Sequence, residues 1–107
     1  MKLSVKQDSK ICEAIALDNG NRIVLIDVAG DKTVSNAEKL SNIYHIDSGN
    51  NIIWQIQETK TKPPFDNDTF MYLKKNQNNE IIAARFSGFV YKIDPKTGEA
   101  EQTGFRK

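Results

Sequence analysis

Two copies of a strand followed by a tight turn constrain the fold of this chain more than any other feature. The clearer copy spans residues 89–99, where Phe89, Tyr91 and Ile93 occupy alternate positions before the turn sequence Asp-Pro-Lys-Thr-Gly. Alternation with a period of two is typical of a strand with one buried face, and the turn residues are typical of a hairpin. A looser copy, Asn-Ile-Tyr-His-Ile-Asp-Ser-Gly-Asn, spans residues 42–50. The repeat indicates a chain built from two similar β units.

Each unit follows one plan, in which a strand, a polar turn, an apolar strand and a glycine break precede the tyrosine hairpin. The turns are residues 18–21 in the first unit and 76–79 in the second, and the breaks fall at Gly30 and Gly88. The first turn contains an Asn-Gly pair between two apolar runs, which predicts a hairpin whose two central residues both adopt positive φ. A four-stranded antiparallel unit of about 40 to 50 residues is the size of a propeller blade.

The residue pattern also predicts which positions correspond and which face the core. Residues 23–28 are nearly continuously apolar, so this strand is predicted to be central or buried on both faces. Residues 23–25 and 81–83 are predicted to hold equivalent places in the two units. In the upstream hairpin, alternation places Tyr44 on the same face as Trp54 and places the only histidine, His45, on the opposite face.

The chain is therefore predicted to be a single all-β domain covering residues 1–107, with an internal repeat at approximately 10–58 and 69–106. We expect about eight antiparallel strands in two four-stranded meanders, packed as a β-sandwich or flattened barrel. Residues 2–6 alternate and are predicted as a short edge strand. Residues 33–40 are predicted as a loop with at most one helical turn, because eight residues without an apolar stripe make a weak helix.

Composition excludes several classes of partner and location. The net charge is +1, from 15 basic and 14 acidic residues, so the chain lacks the basic excess of a nucleic-acid-binding surface. A single cysteine excludes an internal disulfide and fits a reducing compartment. The chain contains no apolar run long enough to span a membrane, and the first residues lack the apolar core of a signal peptide. A cytoplasmic location is predicted.

Candidate catalytic and metal-binding residues are few. The sequence lacks a glycine-rich phosphate loop and the motifs G-x-S-x-G, H-E-x-x-H and C-x-x-C, so we predict that the protein is not an enzyme and uses no cofactor. His45 is interpreted as a polar strand position, and Cys12 as a small buried hydrophobic residue. Asp66 and Asp68 suggest oxygen ligands for calcium, but the sixth position of such a loop is Met71 instead of glycine, so no metal site is predicted.

Two protein families share features with this chain. The hairpin V-Y-K-I-D-P-K-T-G-E at residues 90–99 resembles the Y-x-I-D-x-x-T-G strand and turn of quinoprotein-like propeller blades, and I-W-Q-I at residues 53–56 resembles the strand that follows it. This resemblance implies four-stranded meanders but no quinone or metal site, which belongs to a closed ring of more blades. In size, in its Asn- and Asp-rich turns and in its lack of catalytic motifs, the chain also resembles small bacterial immunity proteins, including those against contact-dependent growth-inhibition toxins.

The immunity-protein resemblance implies a non-enzymatic protein that occludes the active site of a cognate bacterial toxin. The longest irregular segment, residues 59–68, is stiffened by Pro63 and Pro64, and a loop tip on a rigid β scaffold is a common place for binding residues. Aromatic and acidic groups there and on adjacent turns are predicted to engage a basic toxin cleft. The predicted partner-binding residues are Phe65, Asp66, Asp68, Asp47, Asp94 and Glu99. The alternatives are a loop that merely covers one end of the sandwich, and a propeller-like module that binds a small molecule or a protein.

Overall fold

The computed structural model describes residues 1–58 and 68–105, whose strands form two antiparallel meanders. The first sheet contains, in order, β1 (Ile11–Ala16), β2 (Arg22–Ile26), β3 (Ile43–Ile46) and β4 (Ile52–Gln55). The chain then crosses to the second sheet, where β5 (Gln57–Glu58) pairs in parallel with the last strand. The other strands of this sheet are β6 (Phe70–Lys75), β7 (Ile81–Arg85), β8 (Phe89–Ile93) and β9 (Glu99–Phe105). The predicted all-β fold with two four-stranded meanders is confirmed, and its form is a sandwich.

The four hairpin turns β1–β2, β3–β4, β6–β7 and β8–β9 each contain one residue with positive φ. These residues are Gly20 (87°), Asn50 (63°), Asn79 (62°) and Gly98 (79°). In the β1–β2 turn, Leu17 N–H donates to Asn21 O at 2.9 Å and Gly20 N–H donates to Leu17 O at 3.1 Å. This is a three-residue loop that ends in one left-handed residue, and Asn19 keeps negative φ. The predicted hairpin is confirmed, but the expected pair of positive φ values is wrong because the loop is one residue longer.

The main core lies between the two sheets. Strand β6 packs over β1 and β2, and apolar side chains from the facing sides of both sheets interdigitate. The contributing residues are Ile15, Ile23, Leu25, Ile43, Trp54, Ile56, Phe70, Leu73, Ile81, Ala83, Tyr91, Ile93 and Ala100.

A second core covers the other side of the first sheet. Its residues are Leu3, Val24, Ile26, Val28, Tyr44 and Ile46. The hydroxyl of Tyr44 donates to Glu38 Oε1 at 2.7 Å and accepts from Gln55 Nε2 at 3.1 Å, which ties the covering segment to the sheet. Burial, reinforced by Glu38, raises the pKa of Tyr44. Because β2 contributes to both cores, the prediction that it is buried on both faces is confirmed.

Two short helices form part of this cover. Helix α1 (Val5–Asp8) begins with a capping box, in which the Ser4 side chain accepts from Gln7 N–H and the Gln7 side chain accepts from Ser4 N–H. The edge strand predicted at residues 2–6 is therefore wrong, although Lys2 forms a single bridge with Asn51. Helix α2 (Asn36–Leu40) lies in the segment predicted as a loop with one helical turn. No helix in the described part of the chain is long and apolar enough to cross a membrane.

A β-bulge changes the faces expected for the upstream hairpin. His45 pairs with Trp54, whereas the next residue, Ile46, pairs with Ile52, so Ile53 is the extra residue. Trp54 therefore lies on the same face as His45, in the main core. Alternation had predicted the face of Tyr44, and that prediction is wrong. Beyond one inserted residue, each side chain of the strand lies on the face opposite to the one that simple alternation predicts.

The strand register also corrects the predicted equivalence of the two meanders. Tyr44 pairs with Val24, and Tyr91 pairs with Ala83, so Val24 corresponds to Ala83. Residues 23–25 therefore match residues 82–84, one position away from the predicted match. A displacement of one residue exchanges the two faces of a strand.

The two meanders consequently stack in the same orientation instead of facing each other symmetrically. Tyr44 points away from the second sheet into the covering layer, whereas Tyr91 points into the main core. The tyrosine side of the second sheet thus packs on the His45 side of the first sheet. The corresponding side of the second sheet, which carries Lys92 in the place of His45, is left on the surface.

Candidate protein-interaction surface

The predicted partner-binding residues divide between opposite ends of the sandwich. Asp47, Asp94 and Glu99 lie at the end formed by the four hairpin turns, which we call the hairpin end. Asp68 lies at the loop end, formed by the β2–β3 connection and the β7–β8 turn. Strands of five residues separate the two ends by about 17 Å. Phe65 and Asp66 lie outside the described residues. One compact interface therefore does not unite Asp68 with the three acidic residues of the turns.

Asp68 is a buried structural residue, with 3% of its surface exposed. Its carboxylate accepts hydrogen bonds from the backbone N–H of Ser87 at 3.0 Å and from the Ser87 hydroxyl at 2.6 Å. Its backbone carbonyl accepts from Arg85 Nη1 at 2.6 Å. The prediction of an exposed carboxylate at this position is wrong, because Asp68 is used to hold the β7–β8 turn.

A buried arginine, Arg85, joins the second sheet to the end of helix α2 at the loop end. The Nε of Arg85 donates to the Tyr91 hydroxyl at 3.1 Å, and Nη1 donates to Leu40 O at 3.0 Å. The guanidinium carbon lies 4.1 Å from the centroid of the Phe70 ring, in cation–π geometry. Sequence reasoning missed this residue, which occupies an inward-facing position at the end of an apolar strand. These contacts make the loop end a rigid support for the turn beside it.

The outward side of the second sheet, which we call the outer face, carries the candidate site. The inward row across β6, β7 and β8 is Leu73, Ala83 and Tyr91, so the rows on either side of it point outward. Toward the loop end, the register aligns Tyr72, Ala84, Val90 and Gly104. Toward the hairpin end, it aligns Lys74, Ile82, Lys92 and Glu101.

The loop end of the outer face is apolar, with two exposed hydrophobic side chains beside half-buried Tyr72 and buried Ala84. Phe86 follows β7 on the side of Ile82 and Ala84, with 77% of its surface exposed, and the bulged residue Met71 is 48% exposed. Phe86 and Met71 line a shallow depression with Tyr72 and Ala84. From the sequence alone, Phe86 is interpreted as a core aromatic, because it continues an alternating strand. Phe86 alternates with Ile82 and Ala84, so it would have been placed on the surface if the outward side of β7 had been known.

The hairpin end of the outer face carries charges of both signs, with three carboxylates grouped along β8 and β9. A shallow groove along β8 and β9 brings together Asp94, Glu99 and Glu101, beside Lys92. The ammonium of Lys92 lies 2.6 Å from Glu80 Oε2, and this hydrogen bond lowers the pKa of Glu80 and raises the pKa of Lys92. The structure therefore places two of the predicted partner-binding residues, Asp94 and Glu99, on the same face as an exposed aromatic side chain.

A model of one protein family, described as a domain of unknown function, DUF7957, matches residues 2–105. The chain belongs to this family. No curated protein and no solved structure matches it. What this DUF7957 domain does must therefore be argued from its own surface.

Asp47 of the DUF7957 domain stands apart from the outer face. It lies in the β3–β4 turn of the first sheet, where its carboxylate accepts from the backbone N–H groups of Gly49 and Asn51, each at 2.9 Å. The hydrogen bonds from Asn51 lower the pKa of this exposed carboxyl group. Its first role is to close the turn, as Asp94 does in the second sheet by accepting from Lys96 N–H at 2.9 Å.

The single histidine and the single cysteine occupy different environments in this DUF7957 domain. His45 is buried, its Nε2 lies 3.0 Å from Asn21 Nδ2, and burial lowers its pKa, so the ring is neutral at pH 7. Cys12 is exposed, contrary to the prediction, and its thiol donates to Leu25 O at 3.5 Å. Partial burial and the nearby Asp27 raise the pKa of Cys12, which keeps the thiol protonated. Within residues 1–58 and 68–105, no three acidic, histidine or cysteine side chains cluster to hold a metal ion.

Proposed function

We propose that this DUF7957 domain is a non-enzymatic binding protein that inhibits a bacterial toxin, with the outer face of the second sheet as its contact surface. The observation that carries the proposal is the unequal covering of the two sheets. The His45 side of the first sheet is buried in the main core. The equivalent side of the second sheet is the outer face, which carries Phe86 with 77% of its surface exposed. An exposed apolar patch rimmed by charged residues is typical of a protein-binding site.

Phe86 is suited to act as the central anchor of such an interface. It is held on both sides, because its backbone N–H donates to Thr69 O at 2.8 Å and the next residue, Ser87, is bound by Asp68. An aromatic side chain on a rigid turn loses little conformational entropy when a partner covers it. Aromatic anchors with this geometry contribute a large share of binding energy in protein interfaces.

The acidic groove supports a partner with a basic active-site cleft. Asp94, Glu99 and Glu101 line one groove, and the positive charge of Lys92 is offset by Glu80. Carboxylates placed in this way speed the encounter with a basic surface and orient it. Since the net charge of the whole chain is +1, the complementarity is local to this groove.

The toxin as partner follows from the resemblance to small immunity proteins, and so does the cytoplasm as the place of action. In the proposed mechanism, Phe86 packs against an apolar surface at the rim of the toxin active site. The carboxylates of the groove then cover the basic residues that would contact the toxin's substrate. Inhibition requires only that the active site is occluded, so no chemical step is assigned to this domain.

The experiment that tests the proposal is isothermal titration calorimetry against the product of the gene immediately upstream of this chain, which the proposal expects to encode a toxin domain. Phe86→Asp is expected to weaken binding at least tenfold, as truncation of an anchor residue does. The matched control is Val5→Asp, because Val5 is 88% exposed and lies on α1, outside the outer face. Inhibition of the toxin should follow the measured affinity of each variant.

A second pair of variants tests the charge complementarity. Asp94→Lys and Glu99→Lys are expected to slow association and to leave the dissociation rate less affected. Equal affinity of Phe86→Asp and the unmodified protein would remove the outer face from the interface. Failure of the unmodified protein to inhibit the toxin would overturn the proposed function.

A further inference from the structure

We propose that the β1–β2 turn is a site of covalent modification, at which Asn19 loses ammonia spontaneously and becomes aspartate or isoaspartate. Asn19 is the only asparagine in the chain that precedes a glycine. Its side chain and the following residue, Gly20, are both exposed at the tip of the turn. The inference concerns the first sheet and is independent of the proposed toxin inhibition.

The modification begins when the backbone nitrogen of Gly20 attacks Cγ of Asn19. A bond forms between these two atoms, the bond from Cγ to Nδ2 breaks, and the proton of the Gly20 N–H leaves with Nδ2 as ammonia. The product is a five-membered succinimide ring, which is then opened by water. If water breaks the bond from Cγ to the Gly20 nitrogen, aspartate forms. If water breaks the original peptide bond, isoaspartate forms, and the backbone then runs through the side chain of residue 19.

Gly20 leaves the attacking nitrogen accessible. Its φ is 87°, and a Cβ atom built at this position would meet no heavy atom within 4 Å. A residue with a side chain would carry a Cβ close to its own nitrogen and would restrict the backbone rotation that ring closure requires. The Gly20 N–H donates to Leu17 O at 3.1 Å, and this hydrogen bond must open before the attack. Such opening costs little free energy at an exposed turn.

A backbone hydrogen bond prepares the carbon atom that is attacked. Oδ1 of Asn19 accepts from the backbone N–H of Asn21 at 3.0 Å. As the Gly20 nitrogen adds to Cγ, negative charge develops on Oδ1, and a donor already directed at this oxygen stabilises the transition state. The same hydrogen bond fixes the side chain of Asn19, so less ordering is needed before the reaction.

The β6–β7 turn provides an internal comparison, because it has the same backbone hydrogen bonds. In each turn the first residue donates to the fifth, at 2.9 Å in the β1–β2 turn and 3.0 Å in the β6–β7 turn, and the fourth donates to the first at 3.1 Å. Asn78 and Asn79 therefore hold the places of Asn19 and Gly20, and Asn79 has a positive φ of 62°. Since Asn79 carries a side chain, we expect Asn78 to be retained.

Modification of Asn19 is expected to affect the buried histidine of the first sheet. Nδ2 of Asn21 lies 3.0 Å from Nε2 of His45, and the backbone of Asn21 is bound to the side chain of Asn19. Isoaspartate adds one main-chain carbon to the turn, which displaces Asn21 from His45. Aspartate keeps the length of the backbone and places a second carboxylate beside Asp18. We therefore expect the isoaspartate form to unfold at a lower urea concentration than the aspartate form.

Peptide mapping by mass spectrometry, after incubation of the folded chain at mildly alkaline pH, tests the proposal. The parent chain is expected to lose ammonia at Asn19 and to retain Asn78. An isoaspartate methyltransferase labels the isoaspartate fraction. The rate at Asn19 in the folded chain is expected to lie within about tenfold of the rate in the urea-unfolded chain, because an exposed turn opens readily.

Gly20→Asn is the matched variant, because an asparagine occupies the equivalent position of the β6–β7 turn with positive φ. This variant is expected to slow the loss of ammonia at Asn19 by about tenfold or more, since the nitrogen no longer reaches Cγ freely. The reciprocal variant, Asn79→Gly, is expected to make Asn78 reactive. Circular dichroism verifies that both variants are folded.

An Asn19 side chain that reacts in urea but stays intact in the folded chain overturns the proposal. Equal rates at Asn19 and Asn78 in the folded parent chain also overturn it, since the attack would then not depend on Gly20. Equal urea midpoints for the isoaspartate and aspartate forms would overturn the expected effect on His45.

Discussion

The indole ring of Trp54 lies directly against the backbone of Gly98, so that a Cβ atom at Gly98 would come within 2.6 Å of ring atoms Cδ2 and Cε3. Trp54 also donates from Nε1 to Pro95 O at 2.9 Å. A side chain of the first sheet is thereby fitted into the β8–β9 turn of the second sheet. The turn that gave the sequence repeat its clearest signature is thus part of the contact between the two meanders.

Gly98→Ala is expected to lower the free energy of unfolding by about 2 to 4 kcal/mol, because it combines a positive φ of 79° with a steric clash. Gly20→Ala is the matched control, since Gly20 has φ of 87° but no atom within 4 Å of the added Cβ. The control is expected to lose about 1 kcal/mol from backbone strain alone. Urea denaturation measures both variants, and equal losses would show that the contact with Trp54 is unimportant.

Asn42→Ala is expected to destabilise the fold by about 3 kcal/mol or more, because it leaves buried backbone groups unpaired. Asn42 is 1% exposed and acts as a bridge between the sheets: its Nδ2 donates to Ile26 O at 2.8 Å and Phe70 O at 3.0 Å, and its Oδ1 accepts from Phe70 N–H at 2.9 Å.

Two measurements check the role of Asn42. Urea denaturation is compared with that of Asn36→Ala, an exposed helical position where a change within about 0.5 kcal/mol is expected. Hydrogen exchange at the amide of Phe70 should accelerate in Asn42→Ala only. Unchanged exchange at Phe70 would contradict the bridging role.

Asp68→Ala is expected to lower the free energy of unfolding by about 2 kcal/mol, since it removes the acceptor of two hydrogen bonds from Ser87. Asp27→Ala is the control, because its carboxylate accepts one hydrogen bond at an exposed position outside the outer face. Thermal unfolding and toxin affinity are measured together. If Asp68→Ala kept its stability and lost affinity, the residue would be a partner-binding residue after all.

Stability is expected to fall as the pH drops below about 6.5, because the buried ring of His45 resists protonation. Its pKa is lower in the folded state than in the unfolded chain, so the unfolded chain binds the extra proton first. The contribution of His45 to stability is fully present above its pKa in the unfolded chain. It is lost as the pH falls toward its pKa in the folded protein. The free energy of unfolding decreases by no more than about 1.4 kcal/mol per pH unit in this range.

His45→Phe tests this pH dependence, because a phenyl ring keeps the contact with Trp54, whose ring centroid lies 5.5 Å from that of His45. His45 is the only histidine, so between about pH 5 and 6.5 the variant should show a flat profile in urea denaturation. A slope that persists in His45→Phe would assign the effect to a different group.

The hairpins could be predicted because their signals are local. Asn and Gly at the turn positions tolerate left-handed backbone conformations, and alternating residues on either side define the strands. The burial of β2 on both faces could be predicted because its apolar run is unbroken. Helix α1 was missed because four residues with one apolar side chain carry no periodic signal, and only the capping box of Ser4 and Gln7 marks its start.

The candidate site was harder to predict because it depends on which strand face is turned to solvent. Asp94 and Glu99 were chosen as turn residues, and the fold places them in one groove. Phe86 was assigned to the core, since nothing in the sequence distinguishes an outward row of Ile, Ala and Phe from an inward one. Asp68 was assigned to the surface, because sequence gives no sign that Ser87 lies within hydrogen-bonding distance.

The sequence by itself determined the strands, the turns and the division into two meanders, because these depend on contacts between residues close in the chain. Only the tertiary structure decided that Tyr91 of the second meander faces the other sheet, while Tyr44 of the first meander faces the helical cover. Alternation defines two faces for each strand but does not say which of them will be buried. That choice is made by the bulge at Ile53, next to Trp54, and by the packing of one whole sheet on the other. It leaves Phe86 on the exposed outer face.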